Sequence, residues 1–433
     1  MFPVALTASM LVFFTCAVPI AVTLGMVSAM AMYGSGIPLQ AMIQRMFAAL
    51  DSFPLTAIPF FILAGALMEV SGISTRLVNF AQSLVGRATG GLGLVAVLSA
   101  MFFAAISGSS AATTAAIGSI LIPAMAARGY SRPFATSVQA SSGELGVIIP
   151  PSIPMIIFAL TAGVPVSIGD LFLAGILPGL LVAGGLMLTV YLVSKRKGYG
   201  RAKPGASGDG LGPQPGVWES FKAAILPLML PVLILGGIYG GVFTPTEAAA
   251  AAVCFALIIG VVVFRTITVE KLVMALQSSL LNTVVILLII SSASVFGWVL
   301  TANRIPELIS QVFVSISDNP LVFLLLINLL LLLVGMFLET GAAITVLAPI
   351  LTPVALKMGI DPIHFGIVMI VNLAVGMTTP PVGVNLFVAC QVAGLRIEHI
   401  IRSMLPFYLS LLICLAIITY LPGLSLWLPQ LLK

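Results

Sequence analysis

Gly143-Glu144-Leu145-Gly146-Val147-Ile148-Ile149-Pro150-Pro151-Ser152 is a stretch of chain that no unbroken helix can accommodate. Tandem proline removes two backbone donors and pushes the residue before each ring out of helical geometry, so a helix reaching Ile148 has to stop there. A second such break stands at Gly376-Met377-Thr378-Thr379-Pro380-Pro381. Placing the two proline pairs in register also superposes Pro123 on Pro353, Gly129 on Gly359 and Gly146 on Gly376, without a gap, at one offset of 230 positions (380 minus 150). Coincidences of Gly and Pro at one spacing mark an internal duplication. An odd number of membrane crossings between the copies makes it an inverted repeat.

The surroundings of the breaks are apolar enough to name their solvent. Hydrophobic residues make up 60% of the 433, charged residues 7%, and the mean hydropathy is +1.22. A chain this long cannot hide that surface internally, so it belongs in a bilayer as an all-α polytopic membrane protein. Its 41 glycines and 28 prolines favour broken helices. No charge precedes Arg45, so the N-terminus lacks the basic region of a cleaved signal and is expected to remain as membrane structure. Cys16, Cys254, Cys390 and Cys414 are scattered without metal or disulfide spacing. The net charge of +5 sits in short connections, which reads as topology and membrane lipid contact, not as a nucleic-acid patch.

The clearest connection is Lys195-Arg196-Lys197 with Arg201 and Lys203, opening a Gly/Pro-rich cytoplasmic linker. It divides the chain into a first half, 1–194, a linker, 195–222, and a second half, 223–433. Spans are expected at Leu171–Val193, Ala223–Gly240, Glu247–Phe264 and Leu272–Leu300. Between Arg87 and Arg128 no charge occurs, and the apolar run is interrupted by Ser107-Gly108-Ser109-Ser110-Ala111-Ala112-Thr113-Thr114. Two full spans and a turn need roughly 45 residues, so a re-entrant hairpin, about 88–128, fits better. Leu321 to Lys357, interrupted at Glu339-Thr340-Gly341, reads as a second hairpin, 321–357, from the opposite face. Broken helices follow at about 133–163 and 363–394. Ser74–Arg87 and Arg304–Ser317 are too polar to span and are expected to lie along the membrane surface as arms.

These residues resemble the large membrane subunit of tripartite ATP-independent periplasmic (TRAP) transporters. The resemblance rests on Gly108-Ser109-Ser110-Ala111-Ala112-Thr113, on the Gly143–Ser152 stretch, on Gly240-Gly241-Val242-Phe243-Thr244-Pro245-Thr246-Glu247-Ala248 and on Thr378-Thr379-Pro380-Pro381-Val382-Gly383-Val384-Asn385. It implies an elevator-type protein of the bacterial inner membrane, with a scaffold and a moving transport domain. It further implies sodium coupling, a small four-helix membrane subunit on a separate polypeptide, and a periplasmic substrate-binding protein that delivers a small organic anion.

The site chemistry can be argued from the residues as well. A sodium ion needs hard oxygen ligands, which hydroxyls and unwound carbonyls supply without a full charge. Ser107, Ser109 and Ser110 at the first tip, opposite Gly146, Ile149 and Pro150, form one candidate Na+ site. Thr340 and Gly341, with Thr345 beyond them, opposite Gly376, Thr378 and Thr379, form a second. The offset maps Ser107 to Phe337 and Ser109 to Glu339, so the two differ chemically. Thr113, Thr114, Asn372 and Asn385 are candidates for the substrate. Taken singly, Ser, Thr and Gly in membrane helices more often serve packing, and only their clustering at both breaks favours ligation. The asparagines can equally join helices. Glu144 and Glu339 are costly in a membrane and hence functional candidates, although Glu144 can also cap unwound backbone. Glu247 reads as a helix-start acid behind Thr244, and His364 and His399 as interfacial.

Other classes fit poorly. The chain has no Gly-Lys-Ser/Thr phosphate loop and no His-Glu-x-x-His motif, so an ATP-driven pump and a membrane metalloprotease are set aside, and nothing points to an enzyme. A channel assembles rings of like groups, whereas this repeat is internal and unequal. The alternative retained is a binding-protein-independent sodium/dicarboxylate carrier or an ion antiporter of similar hairpin architecture. No arginine lies near either break, so a carboxylate has to be held by hydroxyls, amides and half-helix ends, as suits C4-dicarboxylates, keto acids or sialic acid.

The charge-free interval makes a topological prediction. Cysteines placed at Arg87 and Arg128 should be labelled from the same side of the membrane by an impermeant thiol reagent, with Ser109 and Ser110 shielded between them. Labelling from opposite sides removes the first hairpin.

Overall fold

The computed structural model describes residues 9, 10, 12, 13, 16, 18–199, 216–305, 308, 311 and 319–432. The greater part of the expected linker and of the second polar arm, Arg304–Ser317, lies outside them. Among the described residues every regular element is helical. The first half contains α1 (Ile20–Gly34), α2 (Gln40–Leu50), α3 (Ala57–Val70), α4 (Ile73–Val85), α5 (Gly91–Ser107), α6 (Ser110–Ala127), α7 (Arg132–Gly143), the short α8 (Leu145–Ile148), α9 (Ile153–Thr161) and α10 (Ile168–Lys197). The second contains α11 (Val217–Tyr239), α12 (Pro245–Leu257), α13 (Val269–Ala302), α14 (Pro320–Gly335), α15 (Thr340–Lys357), α16 (Pro362–Met377), α17 (Val384–Ala393), α18 (Ile397–Tyr420) and α19 (Gly423–Leu431).

Eight of these segments are long and apolar enough to cross a membrane, or nine if α7–α9, bent by 46° at its break, counts as one. Their ends follow local chemistry. At α12 the Thr244 side chain accepts from Glu247 N–H while Glu247 reaches back to the Thr244 N–H at 2.8 Å, so the helix-start reading of Glu247 is a complete capping box. At α10, Lys195, Arg196 and Lys197 fill the last turn, where cations suit the carbonyl end, and Gly198 at φ +71° closes the helix. Large apolar side chains stay exposed along α11 and the first half of α13, among them Trp218, Val232, Leu280 and Leu281. In a bilayer such faces need no protein partner.

The repeat is visible in the element ends. α6 maps onto α15 at both ends, and the start of α7 onto the start of α16, at the offset of 230 given by Pro150 and Pro380. α5 and α6 pack on each other across the two-residue turn Gly108-Ser109, and α14 and α15 are joined the same way through Met336–Glu339. The half-helices then cross over. α9, which follows the first break, packs on α15 of the second hairpin, and α17, which follows the second break, packs on α6 of the first. A separate group, α1, α2, α3, α12 and α13, packs beside this interleaved centre.

Each hairpin tip also rests on its own break, and glycine makes the approach possible. A Cβ at Gly146 would collide with the Ser109 carbonyl and stand 2.8 Å from Ser110 N. One at Gly376 would stand 2.6 Å from Gly335 Cα. The peptide bond within each proline pair is cis. Ile153 N–H donates to Gly108 O at 3.4 Å, and Gly383 N–H, the residue at the same offset, donates to Met336 O at 3.0 Å. Gly376→Ala should therefore lower stability by about 1–3 kcal/mol, the usual cost of overpacking. Gly236→Ala is the control, because nothing lies within 4 Å of its Cβ position. Thermal unfolding in detergent should separate the two; equal midpoints would refute the close-packing role of Gly376.

Candidate functional site

The two tips meet at one cavity of about 830 Å³ between the interleaved centre and the α1–α3–α13 group; Val147, Ile153 and Met377 beside the breaks also line it, whereas the candidates Gly146, Ile149, Pro150, Thr340, Gly376, Thr378 and Thr379 do not. Ser107, Gly108, Ser109 and Ser110 of the first tip line it, as do Glu339, Gly341 and Thr345 of the second. Met377 stands between the tips. Ser110 Oγ approaches its sulfur at 4.0 Å and Thr340 Oγ1 at 2.8 Å, and these two residues are equivalents in the repeat.

At the first tip, Thr113 Oγ1 donates to Ser109 O at 2.8 Å and lies 2.9 Å from Ser107 Oγ. The carbonyls of Ile149 and Pro150 accept no backbone hydrogen bond among the described residues, and the freed Val147 carbonyl accepts from Ser152 Oγ at 2.6 Å. At the second break the Thr378 and Thr379 hydroxyls both donate to Val375 O, at 2.8 and 2.9 Å, while Thr378 O accepts from Tyr408 at 2.6 Å. A hydroxyl that donates its proton keeps its lone pairs, so these bonds aim the oxygens and do not consume them. Equivalence extends to the caps: Ser109 accepts from Ala112 N–H at 3.4 Å, and Glu339, at the same offset, accepts from Ala342 N–H at 3.1 Å. Thr345 Oγ1 donates to Gly341 O at 2.6 Å.

The four substrate candidates do not line the cavity. Thr113 and Thr114 are buried, Thr113 against Ser107 at the first tip, and neither is among the residues that line the cavity. Asn372 donates to Asn328 Oδ1 at 2.7 Å, and Asn328 in turn donates to Thr419 Oγ1 at 3.0 Å, which ties α14, α16 and α18 together. Asn385 donates to Glu144 Oε1 at 2.7 Å, joining α17 to the first break. Glu144 thus bonds a side chain of the other repeat instead of capping backbone. His364, in the first turn of α16, is buried in the protein, with Nε2 3.2 Å from Thr419 O. Sequence reasoning passed over Glu69, Ser278 and Asn282, which also line the cavity. The available signal was a lone acid in the apolar α3 and the polar cluster Gln277–Thr283 of α13, in which Ser278 and Asn282 stand four apart on one face.

A family model described as "Tripartite ATP-independent periplasmic transporter, DctM component" matches residues 7–424. The chain belongs to this family. As a DctM component it is a transporter permease of the inner membrane, crossing it several times, and not an enzyme. It is 43% identical over 417 residues to the isethionate TRAP transporter permease protein DctMQ of Oleidesulfovibrio alaskensis, covering 96% of this chain and 64% of that protein. It is 42% identical over 388 residues to the sialic acid TRAP transporter large permease protein SiaM of Vibrio cholerae, covering 90% and 89%. The YdaH transporter of Alcanivorax borkumensis shares the fold, with a TM-score of 0.64 at 17% identity over 90% of this chain and 89% of that one.

Asn385→Leu removes the donor that Glu144 uses, leaving a carboxyl group buried without it. That should cost about 1.5–3 kcal/mol and lower the unfolding midpoint of the purified protein. Unchanged stability would show that the Glu144–Asn385 bond does not hold the two repeats together.

Proposed function

We propose that this chain is the large membrane subunit of a sodium-driven uptake system for a small organic acid handed over by a periplasmic substrate-binding protein. A small four-helix membrane subunit completes the assembly. The observation that carries the reading is the meeting of the two hairpin tips at one cavity, each tip resting on its own unwound break. Oxygen-rich breaks of this kind suit a coordinated cation, and the half-helix ends suit an anionic group. The first ion is assigned to Ser107, Ser109, Ser110 and the carbonyls of Gly146, Ile149 and Pro150. The second is assigned to Thr340, Gly341, Gly376, Thr378 and Thr379.

Movement follows from the packing. The interleaved centre acts as the transport domain, the α1–α3–α12–α13 group as the scaffold, and α4 as an arm between them. The named cargoes of the two relatives, isethionate and sialic acid, belong to proteins of nearly equal identity to this chain, so relatedness alone does not choose between them.

The test is uptake by proteoliposomes containing both membrane subunits and the loaded binding protein, under a sodium gradient, a proton gradient or neither. Sodium alone should drive uptake. Ser107→Ala, Ser110→Ala, Thr378→Ala and Thr379→Ala should each raise the sodium concentration needed for half-maximal rate while the protein remains folded. Full uptake on a proton gradient, with sodium activation unaltered in all four variants, would overturn the assignment.

A further inference from the structure

Two buried hydroxyls stand at equivalent places in the repeat, one in each candidate ion site. Ser110 opens α6 and Thr340 opens α15, at the offset of 230, and they are 2% and 0% exposed. Among the described residues the side chains of both have the same hydrogen-bond partner and no other, the Met377 sulfur, at 4.0 Å from Ser110 Oγ and 2.8 Å from Thr340 Oγ1. Met377 is itself buried, lines the cavity with the two tips, and stands between Gly376 and Thr378 of the second site. Its counterpart at the same offset is Val147, whose side chain has no acceptor, so one sulfur serves both hydroxyls.

A hydroxyl has a single proton. While Ser110 and Thr340 give theirs to the sulfur, their lone pairs point away from it and are free for a cation. The thioether is a soft, weak acceptor on a side chain with three rotatable bonds, so holding it in one position costs rotamer entropy. A cation at either site fixes that site's hydroxyl with its proton toward the sulfur, and thereby fixes the Met377 side chain. The other hydroxyl then finds its acceptor already in place. Ordering completed by one ligand is not repeated for the next, which makes binding cooperative without a large change of shape.

Resting on the sodium assignment above, we infer that Met377 couples the two ion sites: its sulfur is a positioning group through which occupancy of one site raises the affinity of the other. The ions then bind as a pair, and the singly occupied protein is a minor species.

Equilibrium binding of radioactive sodium to the full chain purified in detergent tests this, because only interacting sites give a Hill coefficient above one. Coupling between sites is usually about 5- to 150-fold; for two sites of like strength this gives a coefficient of about 1.4–1.8 and lowers the midpoint by the square root of the coupling, about 2- to 12-fold. Met377→Leu keeps the bulk and removes the acceptor, so its coefficient should fall to about one and its midpoint should rise by that factor. Met377→Gln, which restores an acceptor at similar reach, should return the coefficient above one. Met404→Leu is the control: the Met404 sulfur also takes a hydroxyl, that of Ser141 at 3.8 Å, but neither residue lines the cavity, and sodium binding should match wild type. Unfolding midpoints in choline chloride report which variants are folded, and Met377→Ile takes the place of the leucine variant if that one is not. A wild-type coefficient in Met377→Leu, a coefficient of one in folded Met377→Gln, or an equal loss in Met404→Leu overturns the inference. A wild type with a coefficient of one or less overturns the coupling and leaves the sodium sites standing. No saturable sodium binding counts against the sodium reading itself.

Discussion

A bilayer interior offers no water to a backbone that has lost its helical partners, and this constraint governs the whole architecture. Two proline pairs open the chain at depth, and everything around them repairs the damage. Ser152 reaches back to the Val147 carbonyl, and Tyr408 crosses from α18 to the Thr378 carbonyl. The hairpin tips close over the breaks through backbone bonds from Ile153 and Gly383. Gly146 and Gly376 are glycines because a tip's backbone occupies the place where a side chain would begin. The carbonyls of Ile149 and Pro150 are left without a backbone donor among the described residues.

Repair and interleaving are linked. A half-helix released by a break needs an apolar neighbour, and the structure supplies the opposite repeat's hairpin: α9 lies on α15, and α17 on α6. Further contacts join the same region: Asn385 of α17 bonds Glu144 at the end of α7, and Ser110 of α6 and Thr340 of α15 both touch Met377 at the end of α16. A displacement at one break is therefore transmitted to the other through packed side chains instead of through a flexible connection.

What the sequence disclosed was local. Proline pairs, charge-free intervals and the 230-residue offset are short-range or periodic signals, and they located the breaks, the hairpin turns and the ends of α6 and α15. Hydroxyl clustering led to Ser107, Ser109 and Ser110, which the structure brings to a single cavity. The rest depended on distant segments meeting. Nothing near Asn385 shows that Glu144 lies against it, 241 positions away. Asn372 looked like a site residue because it flanks a break, yet the partner that claims it, Asn328, sits on another helix. Glu69 was overlooked because a lone acid near a helix end resembles a surface group until the opposite wall of the cavity is known.

The caps at Ser109 and Glu339 carry a different lesson. Both occupy the same place in the duplicated unit and perform the same task, accepting an N–H at the start of a helix, yet one is neutral and the other an acid. Folding asks only for an acceptor at that position, and a hydroxyl and a carboxylate both supply one. Both positions also line the cavity. Either acceptor can therefore start the helix while giving the cavity wall a different charge.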